Sequence, residues 1–249
     1  MDRNEAVLRE LNLYPLWQRR GGPVPAATVA APAAVPAAPP VVTEPPPAAP
    51  AATENGGQGR EQHIGGLDWS QLKAMVRDCT ACSLRAGCTQ TVFGVGDEQA
   101  DWLFVGEGPG ADEDVQGEPF VGQAGKLLDN MLLAIKLRRG KNVYIANIVK
   151  CRPPNNRTPD ANEVATCLPY LQRQIGLINP KLIVALGKTA ATALLGRDAA
   201  LGSLRGTLHE YRGIPLIVTY HPAYLLRSPM EKAKAWQDLC FAVEAAHKK

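Results

Sequence analysis

No stretch of this 249-residue chain approaches 18 uninterrupted apolar residues, the length that a membrane-spanning helix needs. The opening segment MDRNEAVLRELNLYPLWQRR also lacks the apolar run of a secretory signal, so a cytoplasmic location with no membrane partner is expected. Cysteine is scarce, at six residues. A chain of this length buries a core without disulfide staples, and in a reducing compartment a Cys-x-x-Cys pair points to metal or redox chemistry instead. Charge of one sign is in small excess too. A formal net charge of +3 permits a nucleic-acid partner where basic residues cluster, but does not require one.

What the chain has in excess lies near its start. Residues 23 to 53 hold 12 alanines and 10 prolines, with Glu44 the only charge. Recurrent proline removes backbone donors and forces extended conformations, so this reads as a semi-rigid tether able to span on the order of 100 Å. Before it, Val7, Leu8, Leu11, Leu13 and Trp17 are spaced as the apolar face of a short helix with Arg19 and Arg20 behind it, which reads either as a sticky, mostly disordered terminus or as a docking peptide displayed on the tether. The expected organisation is a docking peptide at 1–22, a linker at 23–66 and one folded domain at 67–249.

Within that domain, strand-like and helix-like patterns alternate. DWLFV (101–105), NVYIANIV (142–149), KLIVAL (181–186) and IPLIVTY (214–220) are short, rich in β-branched residues and bounded by Gly, Pro or Asn. Residues 125–137, 160–178, 188–195 and 230–246 carry apolar residues at helical spacing, the second after an Asp160/Glu163 start signal. The expected fold is α/β, three layers with a mostly parallel central sheet of about four strands.

In such a sheet ligands bind beyond the carboxyl ends of the strands, and there the unusual residues fall. GEGPGADED (106–114) follows the first strand, Asn147 closes the second before KCRPPNNR (150–157), Gly187 and Lys188 follow the third, and HPAYLLR (221–227) follows the fourth. A dinucleotide fingerprint through Gly106, Gly108 and Ala111 is interrupted by Pro109, and no ribose-binding carboxylate closes the second strand. GKT at 187–189 lacks the upstream glycine of a phosphate loop and reads as a strand-to-helix turn. Cys79 and Cys82 form one pair, Cys151 and Cys167 a remote second. Four thiolates suit either structural zinc or an iron–sulfur cluster, while Cys167 alone would also suit a helix core. Cys88 and Cys240 have no comparable partners.

CTAC with Cys151 and Cys167, GEGPGADED, EPFVG, NIVKCRPPNNRTP and HPAYLLR, in that order, closely resemble the family 4 uracil-DNA glycosylases of bacteria and archaea, over residues 67 to 247. The resemblance implies a 4Fe-4S cluster on Cys79, Cys82, Cys151 and Cys167, with Cys88 an extra. It also implies base-excision repair. A monomer would flip uracil out of double- or single-stranded DNA and hydrolyse its N-glycosidic bond. On that footing Phe120 stacks on the pyrimidine, Asn147 reads uracil O4 and N3–H with one amide, and His221 donates to O2 as charge builds there. A related branch carries an aspartate where this chain has Gly108. Glu107, Glu113 and Asp114 remain as carboxylates near the sugar, with Asn156 able to orient a water and Glu107 and Glu113 favoured. Leu225 or Leu226 would fill the gap left by the flipped base, with Arg227, Lys150, Arg152 and Arg157 on phosphates.

LRELNLYPLWQRR also resembles, over a short stretch, the N-terminal peptide of the clamp-loader psi subunit, which implies a replisome contact through residues 1–22 and a nucleoid-associated location. The rival expectations are a non-catalytic iron–sulfur module that binds nucleic acid or senses oxidation, and a nicotinamide-dependent oxidoreductase.

Overall fold

The structure, a computed structural model, describes residues 55–247. The expected docking peptide and the tether up to residue 54 lie outside the described residues.

The four apolar runs form β2 (Trp102–Gly106), β3 (Val143–Asn147), β4 (Leu182–Leu186) and β6 (Ile214–Thr219). They pair in parallel in the order β3-β2-β4-β6. Two short strands extend the sheet to six: β1 (Val95–Gly96) lies antiparallel to β3 and β5 (His209–Tyr211) antiparallel to β6. Both additions escape a sequence reading because two or three residues with glycine or polar side chains carry no alternation to detect.

The helices follow the expected alternation: α1 (Asn55–Gly66), α2 (Trp69–Arg77), α3 (Leu84–Gly87), α4 (Ala111–Gln116), α5 (Gln123–Ala134) and α6 (Ala161–Ile178). After them come α7 (Lys188–Leu195), α8 (Leu201–Leu204), α9 (Pro222–Arg227) and α10 (Lys232–His247). Asp160 starts α6 as expected: its carboxylate accepts the Glu163 N–H at 2.8 Å, and the Glu163 carboxylate accepts the Asp160 N–H at 2.9 Å. Helix α1 precedes the expected domain boundary at 67. It belongs with the fold, since Ile64 is fully buried and Arg60 Nη1 donates to the Thr166 carbonyl of α6 at 2.8 Å.

Alternation along the strands feeds two apolar layers. Leu103, Val105, Tyr144, Ala146, Ile183 and Ala185 pack with Leu72 and Val76 of α2, Leu171 and Ile175 of α6 and Ala190 and Leu194 of α7. Phe104, Val143, Ile145, Leu182 and Val184 pack on the opposite face with Leu128 and Leu132 of α5 and Leu239 and Ala242 of α10. Each Val, Leu, Ile or Phe among them, fully buried, contributes roughly 1.5–3 kcal/mol, so the sheet is a rigid platform whose carboxyl ends can hold a site.

Candidate active site

At the carboxyl ends of the parallel strands lies a cleft of about 430 Å³. It is lined by the loop after β2 (Glu107 to Gly110), Glu113 of α4, Phe120, Asn147 at the end of β3, Asn156 and Arg157 of the next loop, His221 at the N-cap of α9 and Arg227 within α9.

Phe120 is 4% exposed and has φ of 56°, a backbone region that bulky L-residues seldom occupy. Its ring centroid lies 5.4 Å from that of His221. The Arg139 guanidinium holds the strained turn, donating to the carbonyls of Pro119 at 2.8 Å and Phe120 at 2.7 Å, while Asp129 accepts from Arg139 Nε at 3.0 Å. Glu113 closes the turn from the other side: its carboxylate accepts backbone N–H groups of Gly110 (3.0 Å), Val121 (2.9 Å) and Gly122 (3.0 Å).

Asn147 is 2% exposed, and its Oδ1 has no hydrogen-bond partner. Buried polar atoms are rarely left so, and one that borders a cleft is directed at what enters it. Opposite, the Ala223 N–H donates to His221 Nδ1 at 3.2 Å, which leaves the proton of the neutral ring on Nε2. Burial first, and then the Arg227 guanidinium, holds the His221 pKa down at about 4, so the ring is neutral at physiological pH. Glu107 lines the cleft with one oxygen, Oε2, accepting the Thr189 hydroxyl at the start of α7. Gly108 offers no side chain, and a Cβ there would come within 2.7 Å of Val149 Cγ2.

Behind the cleft, Cys79, Cys82, Cys151 and Cys167 line one cavity together with Lys150, Leu84 and Tyr170. The Lys150 N–H donates to Cys167 Sγ at 3.2 Å. Burial pushes the Cys167 thiol up to about 11, with the charges of Cys82 and Cys79 adding to the rise and Lys150 opposing it. Four soft sulfurs around one cavity are a donor set that a cationic metal group would satisfy. Among the described residues, no three His, Cys, Asp or Glu side chains are drawn together as ligands of a metal ion. Cys88 is buried beside Cys151, its Sγ 3.7 Å from the Arg85 carbonyl oxygen.

Residues 93–240 match the Uracil DNA glycosylase superfamily. The chain is 44% identical over 181 residues to the type-4 uracil-DNA glycosylase of Pyrobaculum aerophilum, covering 70% of this chain and 92% of that one. It is 47% identical over 155 residues to the type-4 enzyme of Thermotoga maritima (61% and 80% covered) and 43% over 171 residues to that of Archaeoglobus fulgidus (66% and 85%). This chain belongs to the type-4 uracil-DNA glycosylase family.

Within that family frame, several expected positions turn out differently. Lys150 cannot reach a phosphate. It is 1% exposed, with Nζ donating to the Asn147 carbonyl at 2.9 Å and to Gln174 Oε1 at 2.7 Å. Burial lowers its pKa to about 8. Leu225 is 1% exposed and part of the core, whereas Leu226 is 43% exposed, so only Leu226 is available as a wedge. Arg157 is engaged by Glu163 through two bonds of 2.7 and 2.8 Å, and Arg152 Nε donates to Asn156 Oδ1 at 2.7 Å. Asp114 is buried away from the cleft, accepting from the Thr89 N–H at 2.9 Å and the Thr89 hydroxyl at 3.0 Å. Arg227 lines the cleft. Sequence reasoning missed Arg139 and Thr189. The first has no local pattern linking it to Phe120, and the second lies in GKT, whose sequence signals only a strand-to-helix turn.

Proposed function

We propose that this chain excises uracil from DNA by hydrolysing the C1′–N1 bond, leaving an abasic site in base excision repair. The observation that carries the reading is the unpartnered Asn147 Oδ1, buried at the floor of a cleft that also holds the Phe120 ring and a neutral His221. The flipped base would stack on Phe120. Asn147 Oδ1 would accept N3–H while its amide nitrogen donates to O4, a pattern that cytosine reverses. His221 Nε2–H would donate to O2, where negative charge collects as the bond to C1′ breaks. Because Phe120 and Asn147 are held before the base arrives, little reorganisation is needed at the moment of reaction.

The sugar develops positive charge as the base leaves. Glu107, fixed by Thr189, is the carboxylate placed to stabilise it and to draw a water toward C1′. Both Glu113 oxygens are already bonded to backbone, which suits a clamp between the loops bearing Gly110 and Phe120 better than a base. Gly108 contributes space, and Asn156, tied to Arg152, shapes the rim. Leu226 would occupy the gap in the duplex, with Arg227 and Arg152 toward phosphates.

Cys79, Cys82, Cys151 and Cys167 would hold a 4Fe-4S cluster, since they surround one cavity and the chain's relatives are type-4 enzymes. Held by these four cysteines, the segment around Cys79 would be tied to the loop that carries Arg152 and Arg157 and to α6. The chain would act as a monomer in the cytoplasm. Residues 1–22 would serve as a docking peptide for replisome components on an Ala/Pro tether. No helix among the described residues is long and apolar enough to cross a membrane.

The test is release of uracil from a uracil-containing oligonucleotide by the purified protein, read as strand scission at abasic sites, alongside iron and sulfide content. Base release with about four irons per chain is expected. A protein that binds DNA and iron but releases no base would instead be the non-catalytic module.

A further inference from the structure

Lys150 takes a charge into the interior that the excision chemistry does not use. Its Nζ bonds are to the Asn147 carbonyl at 2.9 Å and Gln174 Oε1 at 2.7 Å, both neutral acceptors. Gln174 is fully buried in turn, and its Nε2 donates to the Phe93 carbonyl at 3.0 Å. Among the described residues, no carboxylate forms an ion pair with this ammonium. Lysine is almost never fully buried unless its charge is balanced, because desolvation of an unpaired ammonium is costly.

Sulfur lies beside Lys150. It lines the same cavity as Cys79, Cys82, Cys151 and Cys167, and its own N–H donates to Cys167 Sγ at 3.2 Å. Four ligating thiolates carry four negative charges, which an iron–sulfide core offsets only in part. We propose that Lys150 is the internal counter-charge of the four-thiolate site and the post through which that site holds Asn147. The inference rests on the cluster and the base-reading role proposed for Asn147. One residue then spans both: its backbone steadies a ligand sulfur, its ammonium balances the site, and the same ammonium fixes the carbonyl of the residue that reads the base. Iron-site integrity and uracil recognition are thereby coupled through two hydrogen bonds made by one residue, with no moving part.

Two substitutions separate charge from hydrogen bond. Lys150→Met removes both, while Lys150→Gln removes the charge and keeps a donor for the Asn147 carbonyl. On iron-loaded protein, with circular dichroism to confirm folding, both variants should lose iron to a chelator at least about tenfold faster than wild type, because each removes the neutralising charge. Single-turnover uracil excision should fall at least about tenfold in Lys150→Met and stay within about threefold of wild type in Lys150→Gln. Wild-type iron-release rates in both variants would overturn the counter-charge, and equal losses of excision in the two would overturn the link to Asn147. Should Lys150→Met not fold, iron release from Lys150→Gln decides the first point and its excision rate the second. Wild-type protein is assayed beside them. Its failure to release uracil would sink the base-reading proposal, whereas the iron-release comparison would still decide the counter-charge.

Discussion

Arg139 Nη2 donates to the backbone carbonyl of Phe120 at 2.7 Å, across 19 residues of sequence. Phe120 is held at φ 56°, a conformation that costs a bulky residue on the order of 1–3 kcal/mol, so the turn needs a partner that over-determines it. Arg139 supplies that, bonded also to the Pro119 carbonyl and oriented by Asp129. Arg139→Met should lower single-turnover uracil excision by about tenfold or more. In a Phe120→Ala background the same change should add little, since residues acting through one contact are not additive. Additive losses in that double-mutant cycle would show that Arg139 acts elsewhere.

His221 makes a prediction about pH. Its folded pKa of about 4 lies below the ordinary value near 6.5, with burial the main cause and Arg227 the second. Between those values the unfolded chain binds more protons at this site, so its contribution to stability is present above about pH 6.5 and is lost as pH falls through about 4. Protonation at Nδ1 would also end its acceptance of the Ala223 N–H that starts α9. The His221 ring resonance, assigned by its loss in His221→Asn, should show no titration between pH 5.5 and 8. A midpoint near 6.5 would place the ring in solvent and contradict its role as a neutral donor. Glu163 acts in the same direction at lower pH. The bond from Arg157 holds it at about 2, so its contribution is lost as pH falls below the ordinary carboxylate range.

Leu225 and Leu226 are neighbours with opposite surroundings, 1% and 43% exposed. Leu225→Ala leaves a cavity and should cost about 2–5 kcal/mol of stability, read in the denaturant midpoint. Leu226→Ala should leave stability within about 0.5 kcal/mol of wild type. Its effect belongs to duplex substrate, where a flipped base leaves a gap to fill, and should be smaller on single strands. Equal losses on both substrates would remove Leu226 from the wedge role.

The parts legible in the sequence were those with local signatures. Four interior strands, the Asp160/Glu163 helix start and the loops after β2, β3 and β6 that meet at the cleft all follow from short-range pattern, whereas the expected fourth loop, at Gly187 and Lys188, does not line it. Lys150 and Leu225 misled because a motif gives residue order without burial: Lys150 sits two residues from the exposed-looking Arg152, yet its side chain turns under the sheet end to Gln174, 24 positions away. Arg139 and Thr189 were silent for a related reason. Their contacts with Phe120 and Glu107 span 19 and 82 residues, and only the closed fold brings them together.

Gly106 tests whether the cleft is pre-arranged. It ends β2 in register with Asn147 of β3, and its φ is ordinary, so an alanine there is excluded by neighbours and not by backbone strain. A Cβ on Gly106 would fall 2.5 Å from Asn147 Oδ1 and 2.5 Å from Phe120 Cζ, closer than non-bonded atoms come. Neither neighbour can give way freely, because Phe120 is pinned by Arg139 and Asn147 by Lys150 through its carbonyl. Gly106→Ala should therefore fold, with a loss of about 1–3 kcal/mol from overpacking, while displacing the two side chains that would hold the base. Misplacement on that scale costs about 10²-fold in rate, so excision should fall much further than stability does. Gly176→Ala is the control: that glycine lies inside α6 with nothing within 4 Å of a new Cβ, and the change should stabilise by about 0.5–1 kcal/mol without altering excision. Comparing single-turnover rates and denaturant midpoints of the two variants decides the matter. Near wild-type excision by Gly106→Ala would mean that Asn147 and Phe120 need not be in contact distance of this backbone for the base to be read.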